Sequence, residues 1–381
     1  MIDRRHFLAY GAGAAALSLA PRMAFAKADT DRRFVFIIQR GAADGLGTVG
    51  AVGDPAFAGA RGQLAADFAT GKKLDSMFAL HPAMTSLAGM YDTKEALFAH
   101  AIASPYRDRS HFDGQNVLES GGLGAYQVKD GWLNRMLGLI PSGEAKAIAV
   151  SATVPLALRG PHDVTSYAPS ALPQASDDLL QRVAALYQGD GQLHGLWTDA
   201  MNTRTLTSDM AGATTANAAA TGALAAKLLA PANGARIAMI ETGGWDTHAA
   251  QRARLANQLK GLDAMIAALK TGMGPAWSDT MVLVATEFGR TVAVNGTGGS
   301  DHGTGSAAML VGGGVKGGRV MADWPGLGQA ALYEGRDLKP TLGLDQFVAG
   351  AVAGHYNVEP RRVMATLFPD TKGSAPVSGL V

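Results

Sequence analysis

The apolar residues of this chain alternate between two patterns. Short unbroken runs occupy 33–39 (RFVFIIQ), 96–102, 147–150, 236–240, 281–285 and 307–311. Runs of this length predict strands buried on both faces. Between them, apolar residues recur every three to four positions, which predicts helices at 84–90, 116–119, 131–139, 177–188, 211–229 and 251–269. In the segment 177–188, Leu179, Leu180, Val183, Ala184, Leu186 and Tyr187 share one helical face. The tail from 340 to 368 carries Leu344, Phe347, Val348, Ala351 and Val352 at the same spacing, and His355 and Tyr356 are read with it as packing residues. Strands alternating with helices predict an α/β fold of three layers, αβα, around a mostly parallel central sheet. No Pro/Ser linker, composition break or internal repeat divides the chain, so residues 27–381 are expected to form a single domain.

The N-terminus stands apart from that pattern. Asp3-Arg4-Arg5-His6-Phe7-Leu8 is a twin-arginine signature, an Ala/Gly-rich segment follows from Leu8 to Ala20, and Ala24-Phe25-Ala26 is a cleavage site. Residues 1–26 are therefore expected to be a signal peptide, with Lys27 the first mature residue. The segment is too short and too Gly-rich to cross a hydrocarbon core of ~30 Å. This implies a partner, the twin-arginine export machinery, a periplasmic or secreted location, and no stable membrane insertion after cleavage. The route carries proteins that are already folded, which suits a metal acquired before export.

Composition narrows the picture further. The chain has no Cys, so disulfides cannot hold it together and its core must. A formal net charge of +1, without a Lys/Arg-rich run, argues against nucleic-acid binding. The glycines number 49 and cluster beside polar motifs, as loops that approach a ligand require.

Those motifs sit at strand ends, where α/β folds place their chemistry. Gly244-Trp245-Asp246-Thr247-His248 follows one run, and Glu287-Phe288-Gly289-Arg290 follows another. Ser300-Asp301-His302-Gly303-Thr304 precedes a third. Asp246 and His248, two apart in an extended segment, point the same way and can reach one cation. The mixed oxygen and nitrogen set suits zinc or manganese. The other reading of the pair is a cap for a helix from Ala249. Glu287 lies at a carboxyl edge, where Arg290 either salt-bridges it or holds an anion. Asp301 and His302 sit among glycines that let the backbone approach a ligand. Asp44, in Gln39-Arg40-Gly41-Ala42-Ala43-Asp44-Gly45, matches these positions, or is a turn residue before Gly45. Ser104-Pro105-Tyr106-Arg107-Asp108-Arg109-Ser110-His111-Phe112-Asp113 offers arginines for a phosphate or sulfate. Within it Ser110 and His111 supply a nucleophile or a ligand, or else Ser110 caps the helix that follows. His81 and His162, each beside Pro, read as loop residues. Val311 to Gly318 lacks the Lys-Ser/Thr step of a phosphate loop and is not one.

Taken together, these motifs resemble the DUF1501 family of twin-arginine-exported bacterial proteins of unknown function. The resemblance spans Gln39 to Leu46, Leu80-His81-Pro82, Arg109 to Asp113, Gly244 to His248, Glu287 to Arg290 and Asp301-His302-Gly303, in family order. The family looks distantly related to the alkaline phosphatase and sulfatase superfamily, which implies an alkaline-phosphatase-like fold. The resemblance would make Asp44, Asp246, His248, Glu287 and His302 ligands of one or two metals, and Asp301, next to His302, is counted with the metal-binding residues. Ser110 would be the nucleophile, with His111, Arg109 and Arg290 serving catalysis. Phe288 departs from the pattern, standing where a His ligand is expected. His111 would then compensate, or one metal would bind, or a second position would take calcium or magnesium. The implied function is metal-dependent hydrolysis of a small anionic ester, a phosphate or a sulfate. The alternative is a non-catalytic metal- or anion-binding, or envelope-assembly, protein.

Overall fold

The computed structural model describes residues 30–140, 146–168, 177–206, 217–371 and 373–381. The expected signal peptide over 1–26 lies outside the described residues, as does the first part of the helix expected at 211–229. The strands are β1 Arg33–Gln39, β2 Val49–Gly50, β3 Lys72–Lys73, β4 Ala79–Leu80, β5 Ala96–Ala103, β6 Ala147–Val150, β7 Val164–Ser166, β8 Ile237–Thr242, β9 Thr280–Ala285, β10 Ser306–Gly312, β11 Arg319–Met321 and β12 Leu342–Gly343.

Nine of them form one sheet in the order β11-β5-β10-β9-β1-β8-β6-β7, with β12 also paired to β5. β9, β1, β8, β6 and β7 run parallel. β10 alone is antiparallel to its neighbours β9 and β5. The expected mostly parallel sheet is therefore present, with one reversed strand. That reversal has a consequence for chemistry. The N-terminal end of β10 lies at the same sheet edge as the C-terminal ends of β1, β5, β8 and β9, so all the sequence motifs meet there.

Helices cover both faces, as unbroken apolar strands require. In β1, Phe34, Phe36 and Ile38 face a layer containing Trp132, Met136, Phe347 and Leu367. Val35 and Ile37 face the opposite layer, with Leu224, Leu259 and Ile266. Trp132 packs on Phe34 and Phe36 at ring-centroid distances of 6.0 and 5.3 Å. The helices Ala218–Leu229 and Gln251–Met273 form one layer, and Trp132–Leu137, Leu344–Tyr356 and Pro360–Leu367 belong to the other. Among the described residues, no helix is long and apolar enough to cross a membrane.

The differences from expectation have local causes. The helix expected at 116–119 runs from His111 to Ser120. Gly114 hides its first half from a propensity reading, yet packing demands it: a Cβ there would meet the Phe288 ring at 2.9 Å. The small sheet β2-β4-β3 consists of two-residue strands, too short for any period to register. The helix Gly191–Leu206 carries no clear apolar stripe and was not anticipated.

Two core histidines couple folding to pH. His100 in β5 is fully buried, donating Nε2–H to the Val49 carbonyl at 2.8 Å and accepting the Ala101 N–H at Nδ1. His355 donates Nε2–H to the Arg33 carbonyl at 3.0 Å. Burial pushes each down to about 4. The unfolded chain, titrating near 6.5, takes up protons first, so stability present above that value is lost as pH falls toward 4. The expected loss is roughly 3 kcal/mol per group. Urea unfolding of the wild type and of His355→Gln between pH 7 and 4 checks this: the variant's curve should fall less steeply. Parallel curves would mean that His355 carries no such coupling.

Candidate metal centre

The loop after β8 carries Asp246 and His248, the loop after β9 carries Glu287 and Arg290, and the loop before β10 carries Asp301 and His302. The helix after β5 opens with His111. Close backbone approach brings these loops together. A Cβ at Gly299 would lie 2.2 Å from the His248 carbonyl, and one at Gly41 would lie 2.7 Å from the Asp246 nitrogen. The loops around Glu287 and His302 are laced by Gly289 N–H to the Thr304 carbonyl, Gly303 N–H to Gly289 and Thr291 N–H to Asp301.

At the meeting point His111, Asp246 and His302 come together, and His248 abuts the last two. His302 Nε2 lies 3.0 Å from His111 Nε2, 2.9 Å from His248 Nε2 and 3.2 Å from Asp246 Oδ1. His248 Nε2 lies 2.9 Å from Asp246 Oδ1, and His111 Nε2 lies 3.6 Å from Asp246 Oδ2. The other ring nitrogens fix what those atoms are. His302 Nδ1 faces the Arg109 carbonyl at 3.0 Å, which only accepts, so Nδ1 carries the proton. His111 Nδ1 faces Glu287 Oε1 at 2.8 Å, and His248 Nδ1 faces Asp301 Oδ1 at 3.2 Å. In neutral rings so bonded, each Nε2 is a lone pair. One Nε2 can make one hydrogen bond, yet the Nε2 of His302 is approached by three heteroatoms. With all three rings neutral, the arrangement cannot be satisfied as a hydrogen-bond network. It fits a cation at the centre, since a tetrahedral shell with Zn–N of 2.0–2.1 Å has edges of about 3.3–3.4 Å. Three imidazoles and a carboxylate are a donor set that zinc and manganese accept. Among the described residues this is the one cluster of three or more such side chains whose donor atoms converge, with His111, Asp246 and His302 at its core.

The surrounding charges hold the donors in place. Burial alone would raise the Asp246 carboxyl, but the Arg290 guanidinium, 2.9 Å away, and the nearby histidines hold it below its usual range. The Glu287 bond raises His111, so a proton and a cation compete for that ring. Burial, and then the neighbouring His111, lower His302 and keep it neutral. Asn295 and His248 lower Asp301.

Several predicted site residues stand elsewhere than at the cluster. Glu287 is fully buried and accepts from Gly41 N–H, Ala42 N–H, His111 and Gln115, so it orients His111 rather than joining the Nε2 cluster. Asp301 holds His248 in the same way. Asp44 has other partners: buried Arg61 pairs with it, Gln251 donates to it, and the Gly47 N–H caps onto it at 3.0 Å. Arg290 is buried and bound to Asp246 and to the Ser300 carbonyl, not to Glu287 or open space. The Arg109 guanidinium pairs with Asp337 and Glu334, and its contribution to the site is its backbone carbonyl. His111, read either as nucleophile partner or ligand, supplies Nε2 to the cluster. Ser110 occupies the N-cap position of the next helix, yet its hydroxyl does not cap it. Among the described residues no group holds that hydroxyl. Asp246 and Thr247 do not cap the helix beginning at Gln251, whose N-cap is Ala250 in left-handed conformation. Phe288 is buried against His111 at 5.1 Å and His302 at 5.3 Å, a wall behind two of the rings.

Sequence reasoning missed Arg61, Gln251, Gln115 and Asn295. Only Gln251 left a trace, a polar residue at the start of an amphipathic helix; its amide bridges Asp44 and Ser300.

The family described as "Protein of unknown function (DUF1501)" matches residues 33–367. No curated protein matches the chain. Among solved structures, the zinc-bound C-terminal periplasmic domain of EcEptC from Escherichia coli is similar at 8% identity, with 75% of this chain and 74% of that chain covered and a TM-score of 0.38. A protein in the alkaline phosphatase superfamily from Vibrio parahaemolyticus is similar at 10% identity, over 77% and 63%, with a TM-score of 0.33. The phosphonate monoester hydrolase of Agrobacterium radiobacter is similar at 9% identity, over 76% and 70%, also at 0.33. Likenesses this remote leave the chemistry to be read from the site.

Two substitutions separate holders from ligands. Glu287→Gln should weaken zinc affinity about 10- to 100-fold, because the carboxylate that orients His111 is gone. Competition with a chromogenic chelator measures this, and unchanged affinity would rule out the orienting role. Asp44→Asn should leave zinc stoichiometry intact but cost about 3–5 kcal/mol in urea unfolding, because Arg61 is left buried without its partner. Loss of metal at unchanged stability would instead make Asp44 a ligand.

Proposed function

The chain belongs to the DUF1501 family, and we propose that it is an exported, divalent-metal-dependent hydrolase of phosphate or sulfate esters. The observation that carries this reading is the meeting of His111, Asp246 and His302, with His248 Nε2 at 2.9 Å from both His302 Nε2 and Asp246 Oδ1, and each histidine held by an acceptor at Nδ1. His111, His248, His302 and Asp246 would hold zinc or manganese. When bound, such an ion supplies Lewis-acid charge and stabilises an anionic transition state.

The chain's own residues divide the remaining work. Ser110 presents an unheld hydroxyl beside His111 and is the candidate nucleophile. It stands at the N-terminus of a ten-residue helix, where free N–H groups and the helix dipole favour an anion. Of the three arginines expected to grip an anion, Arg109 and Arg290 are neutralised by carboxylates. Arg107 bonds the Ser104 and Tyr106 carbonyls and, among the described residues, has no carboxylate partner. Its charge is the one left for an ester's free oxygens. The twin-arginine signature at Arg4-Arg5 supports export and a periplasmic or secreted site of action.

A second reading, metal binding without turnover, draws on Phe288. That apolar ring fills the place where a ligand for a second ion is expected.

Elemental mass spectrometry on protein isolated without added metal tests both readings. About one equivalent of zinc or manganese is expected, lost in His302→Ala, together with metal-dependent turnover in a panel of phosphate and sulfate esters that Ser110→Ala abolishes. Bound metal with no turnover favours the second reading. Absence of metal, with none taken up on titration, overturns both.

A further inference from the structure

Of the acceptors that fix the three histidine protons, two are carboxylates and the third is the backbone carbonyl of Arg109. A carboxylate can turn on its side chain to meet a ring, whereas a carbonyl goes only where its backbone goes. Arg109 presents that carbonyl to His302 Nδ1 from a left-handed backbone, φ +61, which a residue with a Cβ adopts at a cost. Its guanidinium supplies an anchor. Nε donates to Asp337 Oδ2 at 2.9 Å, another nitrogen stands 2.8 Å from the same oxygen, and Glu334 pairs with that nitrogen too.

Asp337 is fully buried. Besides Arg109 it accepts the hydroxyl of Thr304, two residues after His302, at 2.8 Å. Arg336 Nε stands 3.0 Å from its other oxygen, an ion contact without hydrogen-bond alignment. The same Arg336 guanidinium donates to the His302 carbonyl. The backbone around the carboxylate is closed. Tyr333 and Asp337 exchange N–H to carbonyl bonds at 2.9 and 3.0 Å, and the Gly305 N–H donates to the Leu338 carbonyl at 3.0 Å. A carboxylate taken wholly out of water persists only with partners. Here those partners join the loop that carries His302 to the residue whose carbonyl sets its tautomer.

We propose that Asp337 is a positioning residue of the metal centre: through Arg109 it keeps the His302 proton at Nδ1, which leaves Nε2 free as a donor. Its consequence for metal affinity rests on the reading of the cluster as a metal centre. Its consequence for the tautomer rests on hydrogen bonding alone.

Long-range nitrogen–proton NMR correlation on metal-free, histidine-labelled protein at about pH 9, above the ordinary histidine range, reads the tautomer of each ring. His302→Gln assigns the signal. Wild-type His302 should carry its proton at Nδ1. In Asp337→Ala a substantial share of the ring should pass to the Nε2–H form, and zinc affinity by chelator competition should fall about tenfold. Asp337→Asn, which keeps an acceptor oxygen for Arg109 and Thr304, should restore most of the Nδ1–H form. Arg109→Ala cuts the same clamp at its partly exposed end and should repeat the tautomer change, so it decides the matter if Asp337→Ala does not fold. A carboxylate that merely braces the loops would lower the urea midpoint and leave the tautomer alone; an unchanged tautomer in the folded variants overturns the proposal, whatever happens to zinc. If wild type takes up no zinc, the metal reading falls, and the tautomer still decides the role of Asp337.

Discussion

A cluster of electron-pair donors built on His111, Asp246 and His302, with His248 against the last two, is the constraint on which this structure turns. When the rings are neutral, the Nε2 of His302 repels those of His111 and His248, and the Asp246 carboxylate adds to that repulsion. The surrounding protein compels the arrangement through the opposite side of each ring. Glu287, Asp301 and the Arg109 carbonyl each take an Nδ1 proton, and none of the three can accept a lone pair in exchange. Taking away such an acceptor would let its ring turn or change tautomer. A positive charge at the centre removes the conflict, whether it is a metal ion or a proton on His111, which the Glu287 contact already favours.

The fold makes the convergence possible by reversing one strand. In an all-parallel sheet, the segment before a strand lies at the opposite edge from the segment after it. Because β10 is antiparallel, the Asp301-His302 loop that precedes it meets loops that follow β8 and β9. Asp44 and Arg61 then act beneath the site. Their buried ion pair, with Gln251 reaching Asp44 and Ser300, ties the loop after β1 to the loop that carries His302. A buried charge with a fixed partner cannot move cheaply, so the loops it joins keep their spacing.

Much of this was legible in the sequence. Unbroken apolar runs located β1, β5, β6, β8, β9 and β10 almost to the residue, because strands buried on both faces have no polar positions to blur the signal. Asp246, His248 and His302 were identified from the Gly-rich strand-end motifs, and the structure brings them together. What the sequence could not separate was a donor from the group that orients it. Glu287 and Asp301 have the same chemistry as Asp246, and only distance shows that Asp246 faces the cluster while they stand behind histidines. Asp44 carries the same ambiguity; in the structure its ion-pair partner is Arg61, a residue seventeen positions away with no motif to announce it. The short strands β2, β3, β4 and β12 were invisible because two residues cannot display a period.

Phe288 shows how the site's boundary is drawn. A histidine in its place would add another donor beside rings that are already crowded. The phenyl ring instead stacks on His111 and leans on His302, giving both a rigid apolar backing and excluding water from that side. Excluding water strengthens every charge interaction at the centre. It also leaves the bonds at Nδ1 as the hydrogen bonds that orient the two rings. The same packing explains Gly114, since any side chain there would push Phe288 into the imidazoles. His111 itself opens the helix whose Gly114 leaves room for that wall.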